Sequence, residues 1–220
     1  MRGVFTIGLL EEKKRKMSKE KKILEDYSDF EFVAGLDEVG RGCGAGPVVT
    51  AAVIMPKGFK SPLIRDSKKL SPKQRDEAYK LIMDNAISVS CNAGSVGDIN
   101  EMGIDKATYK TMYKCLAELD VKPQHVLVDG VAWETYSDEE KYDHMMTLVP
   151  KGDDTYTCIA AAAIVAKVRR DEYMTKLGEK FPKYNWEGNK GYLTPDHIAV
   201  LKEIGANRYH RTKYIRNFVK

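Results

Sequence analysis

Two apolar runs, Phe32–Glu38 and Val48–Met55, flank a stretch with glycines at 40, 42, 44 and 46. Runs this short form strands, and the second is β-branched and closed by Pro56. A glycine-dense turn between them reverses the chain, so an antiparallel hairpin is predicted. A hairpin must build onto a sheet, and the following sequence supplies the rest. Ser71-Pro72 opens a helix through about Asn85, with Ser71 as N-cap and Pro72 in the first turn. Ile87–Val96 alternates as a third strand would, and Ile104–Leu119 has helical periodicity. His125–Asp129 is short and continuously apolar, the pattern of a strand covered on both faces. Met145–Val149 is a candidate fifth strand. Thr157–Lys176 is a helix whose alanine-rich start suits close packing on the sheet. Thr194–Ile204 is a further helix, capped by Thr194. The expected fold is α/β, a mixed sheet of about five strands flanked by helices, with a small helical C-terminal extension.

The chain divides by composition. Residues 1–30 carry the basic run Lys13–Lys22 and form an N-terminal extension, either a solvated helix or an arm that touches phosphates. Residues 31–180 hold the α/β domain. In residues 181–220 aromatic and basic side chains interleave, as in a surface that binds a polyanion. Arg208, Arg211, Lys213 and Arg216 are candidate phosphate contacts, whereas Tyr184, Trp186, Tyr209 and Tyr214 are assigned to packing. Net charge is +4, which permits nucleic-acid binding without requiring it. Cys43, Cys91, Cys115 and Cys158 form no CxxC pair and are expected as free thiols. The four histidines are scattered and read as structural. No apolar run approaches the ~20 residues of a membrane span. Val4–Leu10 is followed by charge without a small-residue cleavage site, so a signal peptide is excluded and a cytoplasmic protein expected.

The chemistry lies in acids at strand ends. Asp37-Glu38 ends the first strand, Asp129 ends His125–Val128, and Asp153 follows the fifth strand. In open α/β sheets ligand sites gather there, and hard oxygen donors suit a divalent ion such as Mg²⁺. Spacing alone does not say which acids converge. Glycines 40 and 42 let the backbone approach a ligand, and Arg41 between them has the forked geometry that suits phosphate.

Asp37-Glu38-Val39-Gly40-Arg41-Gly42 resembles the signature of ribonuclease HII. Asp66-Ser67-Lys68-Lys69-Leu70-Ser71 resembles that family's DSKKLS segment, and Val128-Asp129-Gly130 its central strand end. Lys151-Gly152-Asp153 with the alanine-rich Ile159–Lys167 and Arg170-Asp171, and then Asn189-Lys190-Gly191-Tyr192, follow in the family's order. Several motifs in order, from Val33 to Arg211, make a chance match improbable. The resemblance implies a ribonuclease H-like fold. It implies an endonuclease that hydrolyses the RNA strand of RNA–DNA hybrids, incises at ribonucleotides embedded in DNA, and leaves 3′-hydroxyl and 5′-phosphate ends. Asp37, Glu38, Asp129 and Asp153 match the acids that hold Mg²⁺ or Mn²⁺. Gly40, Arg41 and Gly42 match the loop that senses the ribose 2′-hydroxyl. Ser67 and Lys68 match contacts to the nucleic-acid backbone, and Tyr192 the aromatic residue against the sugar. A monomer is expected.

Some features depart from the family or stand in tension with its chemistry. Ala160 and Ala163 stand where the family often has serine. The segment between Asp129 and Asp153 is long and holds Glu134, Asp138, Glu139, Glu140 and Asp143, an expected acidic surface loop. Asp171 competes for the fourth acid, but a salt bridge to Arg169 or Arg170 explains it more simply. Successive strand side chains point to opposite faces, so Asp37 and Glu38 reach one site only if the strand distorts or ends there. Two rivals remain: a ribonuclease HIII-like nuclease, disfavoured by Arg41 where that group usually has lysine, and a non-catalytic hybrid-binding module.

Overall fold

The computed structural model describes residues 24–27, 30–130 and 145–219. The basic run Lys13–Lys22 and the acidic stretch Glu134–Asp143 lie outside the described residues. The strands are β1 (Val33–Val39), β2 (Val48–Ile54), β3 (Ser88–Gly94), β4 (His125–Asp129) and β5 (Met146–Val149), in the sheet order β3-β2-β1-β4-β5. β1 pairs antiparallel with β2, and β2 with β3; β4 runs parallel to both β1 and β5. The expected hairpin and the mixed five-stranded sheet are therefore present.

The helices are α1 (Pro72–Asn85), α2 (Val96–Met102), α3 (Ile104–Ala117), α4 (Thr157–Lys180), α5 (Trp186–Asn189), α6 (Pro195–Ile204) and α7 (Thr212–Ile215). Ser71 caps α1 through a reciprocal box with Gln74, which fixes the start predicted from Ser71-Pro72. α2 fills the stretch between the expected third strand, Ile87–Val96, and the expected helix from Ile104, to which the sequence reading assigns no element. A second box, Ser95 with Asp98, starts it, and that S-x-x-D pattern was the available signal. α4 runs a full turn beyond the expected Lys176.

One sheet face packs on α3 through Ala34, Leu36, Ala52, Ile54, Val126 and Val128. The other packs on α1 and α4 through Val49, Ala51, Val53, Ile82 and the buried Ala160–Ala162. α4 lies close because Gly35 of β1 carries no side chain; a Cβ there would overlap the backbone of Cys158 and Ile159. Leu24, at the end of the N-terminal segment, is buried in this layer, and Glu25 bridges to Tyr156.

The far end of α4 leaves the sheet and enters a second cluster. Met174 and Leu177 pack there with Ala45, Tyr184, Trp186, Leu201 and Ile215. Tyr184 and Trp186 are buried, Tyr209 and Tyr214 partly so, in keeping with a packing role. Two buried histidines hold this cap. Trp186 Nε1 donates to His197 Nε2 at 3.2 Å, and His210 Nε2 lies 3.1 Å from the same nitrogen. His197 Nδ1 is 2.9 Å from the Tyr192 carbonyl, and His210 Nδ1 accepts from the Asn207 amide at 3.0 Å. One tautomer set satisfies all four contacts: His210 donates through Nε2, His197 donates through Nδ1, and both rings are neutral.

Burial lowers the pKa of both rings, and the neighbouring His197 helps bring His210 to about 4. The unfolded chain takes up these protons near pH 6.5. Both rings are neutral in both states above that, so the cap keeps its full stability; it is lost as pH falls from 6.5 toward 4. For His210 the loss is on the order of 3 kcal/mol. Thermal melts between pH 7.5 and 4.5 should show a falling midpoint, and His210→Gln should flatten that dependence.

Candidate active site

β1 and β4 are parallel, so their C-terminal ends meet at one edge of the sheet. Their register closes at Leu36 opposite Val128, which sets Asp37 beside Asp129. Both point to the α4 face by strand alternation, with Gly35 and Leu127. Asp129 is in register with Val149 of β5. The chain then turns through Lys151, in left-handed conformation at φ 56°, into a 3₁₀ turn at Gly152–Asp154. The Gly152 amide donates to Asp129 Oδ1 at 2.7 Å, which ties Asp153 to the end of β4. Asp37 and Asp153 are buried, 7% and 8% exposed.

Glu38 differs. β1 stays paired with β2 through Val39, so the strand neither ends nor breaks at the acid pair as expected. Alternation sends Glu38 to the α3 side, opposite Asp37. The interruption lies on the other edge, where β1 runs on past its last β4 partner. There the longer Glu38 side chain keeps its carboxyl within electrostatic reach of Asp129 and Lys68.

The charges of these acids act on one another. Burial first, then Glu38 and Asp129, and less strongly Asp153, push the Asp37 pKa well above its ordinary value. Burial raises Glu38, with Asp129 adding to the shift and Arg41 opposing it. Burial and Asp129 raise Asp153. Such a cluster of hard oxygen donors, short of positive charge, suits a divalent cation. Among the described residues, however, no three acids are drawn together as a finished metal cage. Each carboxylate is held by a local partner. Asp37 Oδ1 accepts from the Glu38 amide at 2.6 Å, Asp129 from Gly152, Glu38 faces Arg41 Nε at 3.7 Å, and Asp153 faces Lys68 Nζ at 4.0 Å.

Ser67 and Lys68 sit in a 3₁₀ turn, Ser67–Lys69, capped by Asp66, whose carboxylate accepts from the Lys68 amide. Ser67 is buried, and Lys68 extends with its side chain 84% exposed. Burial acts to lower the Lys68 pKa, but Asp153, Asp66 and Asp37 outweigh it and raise it. Sequence reasoning missed two supports of this turn. Lys69 Nζ pairs with Asp154 at 2.6 Å, and Arg75 donates to the Ser67 and Leu70 carbonyls.

The glycine loop lies on the other side of Asp37-Glu38. Gly40 has φ 98°, and a Cβ there would overlap the Arg170 guanidinium. Gly42 is exposed. Arg41 bonds Asp105 of α3 and so spends part of its fork on a protein carboxylate. Tyr192 is 45% exposed, and its hydroxyl lies against Cys43 in this loop. Asp171 is paired, but not as expected: Lys167 at 2.7 Å and Arg75 at 3.6 Å hold it, while Arg169 pairs with Glu172. Arg211, one of the four candidate phosphate contacts, is fully buried and points into the protein. Cys43, Cys91, Cys115 and Cys158 are free thiols.

A mixed sheet in this order, with acids at the ends of its central strands, defines a ribonuclease H-like fold. The ribonuclease HII family model matches residues 34–217. Ribonuclease HII of Christiangramia forsetii is 43% identical over 192 residues, 87% of this chain and 94% of that one. The crystal structure of ribonuclease H2 from Pyrococcus horikoshii OT3 superposes with a TM-score of 0.72 at 25% identity, covering 85% of this chain and 96% of that one. Bst-RNase HIII, in a complex with Mn²⁺, is similar at a TM-score of 0.57 and 18% identity over 79% of this chain and 63% of that one, a likeness of fold alone. The chain belongs to the ribonuclease HII family, and its enzyme class is that of a ribonuclease H hydrolase.

The buried like charges carry a stability cost that folding must offset. At neutral pH an ionised Asp37 is worse placed in the folded than in the unfolded chain, because its folded pKa is raised; the penalty fades as pH falls. Asp37→Asn keeps the shape and the acceptor for the Glu38 amide. It should raise the melting temperature of the metal-free protein, by roughly 2–4 °C per kcal/mol of relieved repulsion. Cleavage should fall more than the ~100-fold loss typical of an outer-shell partner. Calorimetry and a nuclease assay on the same sample check both halves.

Proposed function

We propose that the chain is a cytoplasmic, monomeric endonuclease that uses Asp37, Glu38, Asp129 and Asp153 to hold Mg²⁺ or Mn²⁺, and incises RNA–DNA hybrids and duplex DNA containing a single ribonucleotide. The observation that carries this reading is the electrostatic reach of Asp129 to Asp37, Glu38 and Asp153, which brings three separate stretches of chain together, set beside an exposed glycine backbone and an exposed tyrosine. Among the described residues no helix is long and apolar enough to cross a membrane.

When bound, the divalent metal lowers the pKa of the attacking water and neutralises charge at the scissile phosphate. The chain's own groups do the rest. Asp37, Asp129 and Asp153 present carboxylate oxygens from one face, and Glu38 reaches in from the other. Lys68, extended beside Asp153, neutralises phosphate charge on the scissile strand, and Ser67 sets the turn that aims it. Gly40, Arg41 and Gly42 read the ribose 2′-hydroxyl, the group that separates RNA from DNA. Backbone donors suit that task because they discriminate sugar without reading base. Tyr192 lies against the neighbouring sugar. Residues 181–220 form a substrate-binding extension of the catalytic domain, residues 31–180. Hydrolysis leaves a 3′-hydroxyl and a 5′-phosphate.

The test is a labelled DNA duplex carrying one ribonucleotide, beside an all-RNA hybrid, with Mg²⁺ or Mn²⁺. Wild-type protein should cut both, a chelator should stop it, and Asp129→Asn should bind without cutting. Wild-type protein that binds and never cuts would favour a non-catalytic module. Cleavage of the hybrid alone would favour a ribonuclease HIII-like specificity.

A further inference from the structure

Two arginines are fully buried between the glycine loop and the C-terminal cap, Arg170 on α4 and Arg211 before α7. Among the described residues neither is ion-paired with a carboxylate. Their donors go to main-chain carbonyls instead. Arg211 donates through Nε to Gly46 at 2.9 Å and through Nη1 to Arg41 at 2.8 Å. Arg170 donates to Pro47 at 3.1 Å, Ala45 at 3.2 Å and Lys190 at 2.9 Å. Burial lowers the Arg211 pKa to about 10, which leaves it charged at neutral pH. A buried cation without a counter-ion is costly unless its donors are satisfied. Arg170 is satisfied at all three nitrogens and Arg211 at Nε and Nη1, with Arg211 Nη2 left buried and without a hydrogen-bond partner among the described residues; these bonds need one particular fold of the loop backbone, so the loop and the cations hold each other in place.

That has a directional consequence. In a trans peptide the C=O of one residue and the N–H of the next point opposite ways, and the described chain has no cis peptide. Arg211 draws the Arg41 carbonyl inward, so the Gly42 N–H must face outward. Gly42 is exposed, and a Cβ built on it would meet nothing within 4 Å. Neighbouring amides are otherwise engaged: Gly44 and Ala45 donate to the Gly191 carbonyl, and Gly46 donates to that of Tyr209. Arg170 meanwhile bonds the loop and the Lys190 carbonyl at once. That fixes the turn bearing Tyr192 relative to the loop.

We infer that Arg211 and Arg170 are positioning residues for sugar recognition: Arg211 aims the Gly42 amide at the substrate, and Arg170 locks the glycine loop to the Tyr192 turn. This rests on the reading of the glycine loop as the 2′-hydroxyl sensor. The arginines themselves touch no substrate.

The test separates this role from general stability and from the underlying reading. Metal-free protein is titrated with a duplex carrying one ribonucleotide and with the same duplex in DNA alone. Wild-type protein should prefer the ribonucleotide duplex. Arg211→Lys keeps the charge and removes the fork; Arg170→Lys does the same at the second position. Both should bring the preference to about one while affinity for the DNA duplex changes less than about threefold. With metal, kcat/KM for the ribonucleotide duplex should fall at least tenfold. In wild-type protein the Gly42 amide signal should shift more with the ribonucleotide duplex than with DNA, a measurement that needs no variant to fold. Variants that keep the wild-type preference, or a Gly42 amide indifferent to the ribonucleotide, overturn the inference alone. A wild-type protein with no preference overturns the sensor reading and this inference with it.

Discussion

A helix can approach a sheet only as closely as the side chains between them allow, and between α4 and β1 there is almost nothing. Gly35 faces the backbone of Cys158 and Ile159, and the first turns of α4 are alanine. That contact fixes where the rest of α4 goes. Its middle turns carry Lys167 and Asp171, and through Arg75 they are tied to the turn that bears Ser67 and Lys68. The same middle turns send Arg170 from another face into the glycine loop, and the last turns carry Met174 and Leu177 into the cap. Three parts of the site come from distant stretches of chain, and each is placed by its distance along one rigid helix. A side chain at position 35 would therefore displace the sheet-borne acids from the loop and the cap, not merely loosen the core.

Against that rigid frame the acids are kept in an unfavourable state. Carboxylates that raise one another's pKa would be better placed apart or neutral, and no feature of the core requires them to be together. What holds them is backbone: the β1–β4 register for Asp37 and Asp129, and the Gly152 amide for the approach of Asp153. Backbone bonds of this kind are the least costly way to impose a repulsive arrangement, because they are made in any case by the sheet and its turns. The absence of a finished cage among the described residues agrees with this. The sheet sets the acids near one another, and the last adjustment belongs to side-chain torsions, including the longer one of Glu38.

The sheet was legible because its signals are local. Valine-rich runs, the glycine-dense turn, Ser71-Pro72 and Thr194-Pro195 each act on their own neighbours, and the elements begin within a residue or so of where those signals place them. α2 was missed because seven residues are too few to show a helical period, although Ser95 and Asp98 carry a cap signal. The position of Asp37 beside Asp129 follows from a parallel register that no single stretch of sequence encodes. The position of Glu38 was misjudged for a related reason: the sequence gives the strand's end on one edge and hides that the other edge stays paired. The arginines fared worst. Arg211 lies in a run with Arg208, Lys213 and Arg216 that has the composition of a phosphate-binding surface. Nothing local distinguishes the one side chain that turns inward. Its burial depends on the carbonyls of Arg41 and Gly46, which lie far back in the chain.

Charge is thus buried on both sides of one short loop, negative toward the ends of β1 and β4, positive toward the cap. The two kinds are not paired with each other across it, and the reason lies in the loop's own polarity. Carbonyls turned to the arginines leave amides turned away from them, so a backbone held by buried cations presents donors on its free face. A loop anchored by side-chain carboxylates would have the opposite sense, with its amides consumed and its carbonyls exposed. A donor edge suits a hydroxyl or phosphate oxygen, whereas an acceptor edge would compete with the neighbouring acids for cations. The arginines beneath the loop and the acids beside it are therefore two parts of one electrostatic arrangement, in which the peptide dipoles between them set which groups meet the substrate.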